Sequence, residues 1–248
     1  MNEQEITVPT SDGPMTTFVV RPDEDRSFPV AVLFMDGVGY REQIKVNARR
    51  FAADGYYCVA PDLFHRSGDK VSFDVMRLRA DDDYRAELMA TIAKVTPDAA
   101  MADTHAVFDA IADDPAASDG PNVCVGYCMG ARVALHAAAA MPDEFAAAAC
   151  IHPSKLITDQ PDSPHLELPN VHGELYFALA ENDHTVEDVE AFRRELERTG
   201  VSAVAERVHA THGYAMADLP VYDRDASERH FEQTLELWRR NVSYTARR

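Results

Sequence analysis

The residue whose type and setting best suit it to chemistry is Cys128, in the run Gly126-Tyr127-Cys128-Met129-Gly130. A cysteine attacks only as its thiolate, and a helix N-terminus, with free N–H groups and a favourable dipole, promotes that form. The pentapeptide has the G-x-nucleophile-x-G pattern of an elbow that carries a nucleophile from a strand into a helix. Glycine suits both flanks because side chains there would collide across so tight a turn, which also holds the nucleophile in a strained backbone conformation. Taken alone, the same residues also describe a core cysteine in an ordinary strand-to-helix turn.

An acid and a histidine follow in the order nucleophile, acid, histidine. Asp183, in Ala180-Glu181-Asn182-Asp183-His184, can orient a histidine through its ring N–H. Glu181 is the rival acid. His212, in Ala210-Thr211-His212-Gly213-Tyr214, precedes a glycine that permits a sharp bend, and His209 competes with it but reads better as a strand-end residue. His209 and His212 are also the nearest approach to a metal-ligand pair. Their spacing does not put two imidazoles on one face of a strand, and the chain has no H-E-x-x-H motif, so no metal is expected. His105 and His136 read as packed or surface residues.

For these groups to meet, each must stand at the end of a strand. Runs rich in Val, Phe and Tyr alternate with helix-like stretches, which predicts an α/β fold with a mostly parallel central sheet covered by helices on both faces. Residues 4–8 and 15–21 read as an antiparallel pair joined by Ser11-Asp12-Gly13-Pro14. Strands are predicted over 29–35, 56–60, 122–127, 146–151, 173–179 and 202–208, of which 29–35 and 122–127 read as buried and 146–151 and 173–179 as apolar. Helices are predicted over 41–54, 98–112, 129–141, 186–199 and 224–241. The helix after Cys128 is apolar nearly all round and must be buried. The polar stretch 65–97 reads as loops and short helix. The chain is expected to form one domain over residues 1–248.

A formal charge of −18 argues against a nucleic-acid partner, whose phosphates demand clustered Lys and Arg. Arginine outnumbers lysine by 20 to 4. This acidic, lysine-poor surface fits either adaptation to high salt, where screening weakens self-repulsion, or compositional bias with ordinary solubility. The four cysteines follow no disulfide spacing, and Cys58, Cys124 and Cys150 read as small buried hydrophobes. No run approaches the roughly 18 apolar residues that span a bilayer, and the N-terminus lacks a signal-peptide pattern, so a cytoplasmic location is expected.

With the elbow, acid and histidine in place, the chain resembles the dienelactone hydrolase family of α/β-hydrolases over about residues 4–240. The matching pieces are Val125 to Gly130, Val59-Ala60-Pro61-Asp62-Leu63-Phe64, Asn182-Asp183-His184, His212-Gly213-Tyr214 and the helix from Asp225 to Trp238. The resemblance implies hydrolysis of a small ester or lactone through a thioester acyl-enzyme. Cys128 would be the nucleophile, His212 the base and then acid, and Asp183 its orienter. The oxyanion hole would be the backbone N–H groups of Gly37 and Met129. Substrate-binding candidates are Arg77, Arg79, Arg85, Tyr127 and Tyr214.

Two positions depart from the family. Asp36 stands where well-known members carry a glutamate that keeps the resting thiol neutral; one methylene shorter, it is either a thiol-modulating carboxylate or a loop residue capping the helix near Arg41. Met216 stands where an arginine binds the substrate carboxylate, so a neutral ester, lactone or thioester fits as well as dienelactone. No metal or organic cofactor is expected. The expected partner is a small-molecule substrate met by a monomer or small homo-oligomer, with no membrane involved. The alternatives are a thioesterase or acyltransferase with the same triad, and a redox-responsive binding protein that senses oxidants through Cys128.

Overall fold

Apolar runs punctuated by Gly, Pro and Asp become strands in the computed structural model, which describes residues 1–242. Contacts divide the chain into two units, one of residues 1–119 and one beginning at Gly120.

In the first unit, β1 (Asn2–Thr10) and β2 (Gly13–Arg21) form an antiparallel hairpin around Ser11 and Asp12. Next come β3 (Val30–Phe34) and β4 (Tyr57–Pro61); β2 runs antiparallel to β4, and β4 parallel to β3. Helix α1 (Glu42–Ala53) buries Ile44, Ala48, Phe51 and Ala52, the face expected from their spacing. Helix α4 (Pro97–Ile111) starts on a Thr96 cap with proline in its first turn, where a missing N–H costs nothing. The stretch 65–97 holds more helix than its polarity suggests: α2 (Val75–Leu78), capped by Asp74, and the 11-residue α3 (Asp82–Ile92), capped by Asp81. Only Thr91 of α3 is buried, so no apolar stripe marks this helix in the sequence.

The second unit is a run of four parallel strands, β5 (Asn122–Tyr127), β6 (Phe145–Ile151), β7 (Glu174–Ala180) and β8 (Ala203–Val208), paired in chain order. Helices α5 (Met129–Ala140), α6 (Val186–Thr199) and α7 (Arg224–Asn241) connect and cover them. Every residue of β5 is buried, as is most of α5, whose alanines let the helix approach β5 and β6 closely. The registers Tyr127↔Ile151, Ile151↔Ala178 and Ala180↔Val208 bring the carboxyl ends of the strands nearly level. Open parallel sheets bind ligands at that edge.

Cys58, Cys124 and Cys150 are buried free thiols. No helix among the described residues is long and apolar enough to cross a membrane.

Candidate active site

Cys128 leaves β5 at φ 54°, ψ −114° and caps the start of α5, a left-handed conformation that few non-glycine residues adopt. Its backbone N–H donates to Ile151 O at 3.0 Å, which ties the turn to the end of β6. A methyl group on Gly126 would overlap the carbonyl oxygen of Gly130 and lie 2.7 Å from the nitrogen of Ala131. Gly126 therefore packs against the Gly130 backbone across the turn and leaves no room for a side chain of its own. The thiol is partly exposed, and the N–H of Met129 is among the first-turn donors of α5 that no carbonyl of the helix can satisfy.

Asp183 and His212 come to the same end of the unit from loops after β7 and β8. His212 Nδ1 is hydrogen-bonded to Asp183 Oδ2, which leaves Nε2 outside that bond, and the Cys128 sulfur is among the groups that act on the charge of the ring. Burial disfavours the charged ring, but the Asp183 carboxylate and the Cys128 sulfur outweigh it and push the His212 pKa up to about 10. The His212 backbone N–H donates to Asn182 Oδ1 at 2.7 Å, so the two loops are pinned to each other by main chain as well as side chain. Arg207 adds hydrogen bonds from its guanidinium to the carbonyls of His184 (3.0 Å) and Glu181 (3.3 Å). Gly213, at φ 89°, makes the bend that the sequence suggests.

The competitors lie elsewhere. His209 is 93% exposed and pairs with Glu181, so the rival acid and the rival histidine satisfy each other outside the Cys128 row. His136 bonds Glu167 at 3.1 Å and His105 is exposed. Tyr127 and Tyr214 are fully buried, in a cluster of rings with His152 and His230.

In the first unit, Asp36 lies in the loop just after β3 and is buried, but it does not cap α1. Arg41 grips both of its oxygens, at 2.6 and 3.0 Å, and the Val38 N–H donates to it at 3.1 Å. The N-cap of α1 is Arg41 itself, without a side-chain cap bond. Gly37 follows in the same loop. Arg77, Arg79 and Arg85 are all exposed at α2 and α3. Arg77 pairs with Asp81 and stacks 4.1 Å over Tyr84, and Arg85 donates to Leu78 O at 2.6 Å. Met216 is fully buried.

Sequence reasoning singled out neither Asn182, whose amide pins the His212 loop, nor His152 and His230. All three belong to irregular segments or to a polar position of a helix, where no periodicity marks them.

A cysteine at the strained strand-to-helix elbow, with an aspartate-oriented histidine from the later loops, is the arrangement of an α/β-hydrolase site. The solved structures agree on the fold. A provisionally named dienelactone hydrolase from Klebsiella pneumoniae superposes with a TM-score of 0.80 at 21% identity, covering 95% of this chain and 97% of that one. A dienelactone hydrolase-like promiscuous phosphotriesterase from metagenomic libraries gives 0.72 at 19% identity, covering 98% and 100%.

Residues 15–242 match the model of the dienelactone hydrolase family, and the chain belongs to that family. A protein of Escherichia coli K12 provisionally named carboxymethylenebutenolidase is 25% identical over 243 residues, 94% of this chain and 84% of its own length. Similarity to other curated relatives is shorter: the match spans 42% of a Methylorubrum extorquens protein of the same provisional name and 50% of one from Salmonella typhi.

Proposed function

We propose that this chain is a hydrolase of small carboxylic esters or lactones that works through a cysteine thioester. The observation that carries this reading is Cys128 at a positive-φ elbow, its sulfur acting on the charge of a histidine that Asp183 holds by a hydrogen bond. The family match runs over 15–242, which supports treating the chain as one α/β-hydrolase domain.

The high pKa of His212 keeps its imidazole protonated beside Cys128 at neutral pH, and the form of the sulfur that attacks is the thiolate. The thiolate attacks the substrate carbonyl carbon and the carbonyl electrons move onto oxygen, to which the unsatisfied Met129 N–H at the start of α5 would donate. Collapse expels the alkoxide, which takes the Nε2 proton of His212, and Cys128 is left acylated. The sulfur is then neutral, so much of what raised the His212 pKa is gone and the imidazole becomes a base. It takes a proton from water as the oxygen attacks the thioester. Collapse of this second adduct releases the acid and the Cys128 thiolate, and the starting ion pair is restored. Asp183 keeps Nδ1 protonated throughout, so Nε2 carries every transfer.

Arg77 and Arg85 are engaged in local bonds and Met216 is apolar, which together favour substrates without a carboxylate. A panel of cis- and trans-dienelactone, neutral lactones, short acyl esters and acyl thioesters tests the substrate class. With an activated aryl ester we expect a burst of product and a covalent adduct on Cys128. Parental kcat/KM in Cys128→Ala would remove the cysteine mechanism.

A further inference from the structure

His152 follows β6 directly and, with Cys128, is one of two non-glycine residues with positive φ among the described residues of the second unit, at φ 39°. Its backbone N–H is held by Ala178 O at 2.8 Å. The side chain is fully buried, and neither Nδ1 nor Nε2 has a hydrogen-bond partner among the described residues. An apolar side chain would fill the same space without leaving two polar atoms unsatisfied, and a glycine would relieve the backbone. Strain and unsatisfied polarity at one residue are uncommon in a packed interior and concentrate at functional sites.

The ring of His152 meets that of His212 edge to face, with centroids 4.9 Å apart and planes at 63°. On its other sides it packs against Tyr214 at 5.3 Å and Tyr127 at 6.0 Å. His230 of α7 lies behind these, in contact with both tyrosines. The titratable groups around His152 are therefore Tyr127 from β5, His212 and Tyr214 from the loop after β8, and His230 from α7. Burial, together with His212 and His230, drives the His152 pKa far below the ordinary histidine value, so the ring adds no second positive charge beside His212.

We propose that His152 is a positioning residue whose buried ring braces the His212 imidazole in line between Asp183 and Cys128. It is walled off from solvent and does not touch substrate. It acts through the orientation of His212, and it does so as a ring rather than as a hydrogen-bonding group, because both nitrogens are idle. The proposal rests on His212 being the base described above.

The test compares His152→Ala, His152→Phe and His152→Asn with the parent, counting active sites by burst titration and working at low temperature so that only folded enzyme is scored. A ring lost beside the base lets it swing by a fraction of an ångström, enough to lower kcat about 10- to 100-fold. We expect that loss in His152→Ala with KM unchanged, and recovery of most of it in His152→Phe. His152→Asn, which tolerates the left-handed backbone and keeps polarity but has no ring, should behave like His152→Ala. The downfield proton resonance of the His212 Nδ1–H, bonded to Asp183, should broaden in the Ala and Asn variants and sharpen again in Phe. Parental kcat and resonance in His152→Ala would overturn the proposal, as would recovery by Asn and not by Phe. The resonance reports the His212–Asp183 geometry whichever residue is the nucleophile, so failure of the cysteine mechanism, read from Cys128→Ala, is scored separately.

Discussion

The charge on His212 depends on two neighbours acting against burial. Asp183 and Cys128 raise its pKa to about 10, and each holds a share of that rise. In Cys128→Ala the sulfur's share disappears, and an NMR titration should find His212 with a lower pKa than in the parent. An unchanged value would mean that Asp183 alone sets it. The raised pKa stabilises the fold at pH values below that of an unfolded histidine, about 6.5, and this contribution is lost as pH rises through about 10. Asp183→Asn should leave the structure intact and lower kcat by about 10³-fold, because an amide no longer holds the Nδ1 proton in place. A loss of only a few-fold would put the orienting role elsewhere.

These three residues were legible in the sequence because the chain order and the glycines that flank Cys128 and follow His212 each carry a steric reason. Asp36 was legible as a position but not as a partner. Its shorter side chain is satisfied by Arg41, five residues on, a pairing that depends on how the β3 loop curls back on itself. His152 had no such signature, since a lone histidine before Pro153 reads as the start of a loop.

At the scale of elements, most strands and helices fell within a residue or two of their sequence-based limits. Their ends are set by local chemistry: the hairpin turn at Ser11-Asp12, Gly55 after α1, the Thr96 cap, and Gly200 in the left-handed conformation closing α6. Helix α3 escaped because its stability does not come from an apolar face; Asp81 caps it and Arg85 holds back to the turn before it. The elbow is the most demanding junction between elements. Gly126→Ala sets a methyl group against the Gly130 carbonyl, and neither β5 nor α5 has room to move in a buried layer. We expect destabilisation by more than about 3 kcal/mol. Urea unfolding would measure it, and a change below about 1 kcal/mol would mean that the turn relaxes.

Over the whole molecule, 42 acidic residues face 24 basic ones, yet the arginines and lysines are concentrated in specific pairs. Arg66 forks onto buried Asp103, Arg240 onto Glu174, and Arg49 onto Glu3. The excess of 18 negative charges over positive ones repels itself. Raising NaCl from about 0.1 M to about 2 M should therefore raise the melting temperature, because screening weakens the net repulsion more than the close pairs. A fall in the melting temperature would show that the pairs dominate and would count against adaptation to high salt.

The four lysines are unevenly employed. Lys45 and Lys70 both hold Glu5 on β1, whose carboxyl they and Tyr40 keep down at about 2, and Lys94 donates to Ser67. That leaves exposed Lys155, in the loop directly after His152 and Pro153. Amine-directed tethering to a surface or a dye would thus fix on very few points, and one of them lies three residues along the chain from the histidine that braces the base.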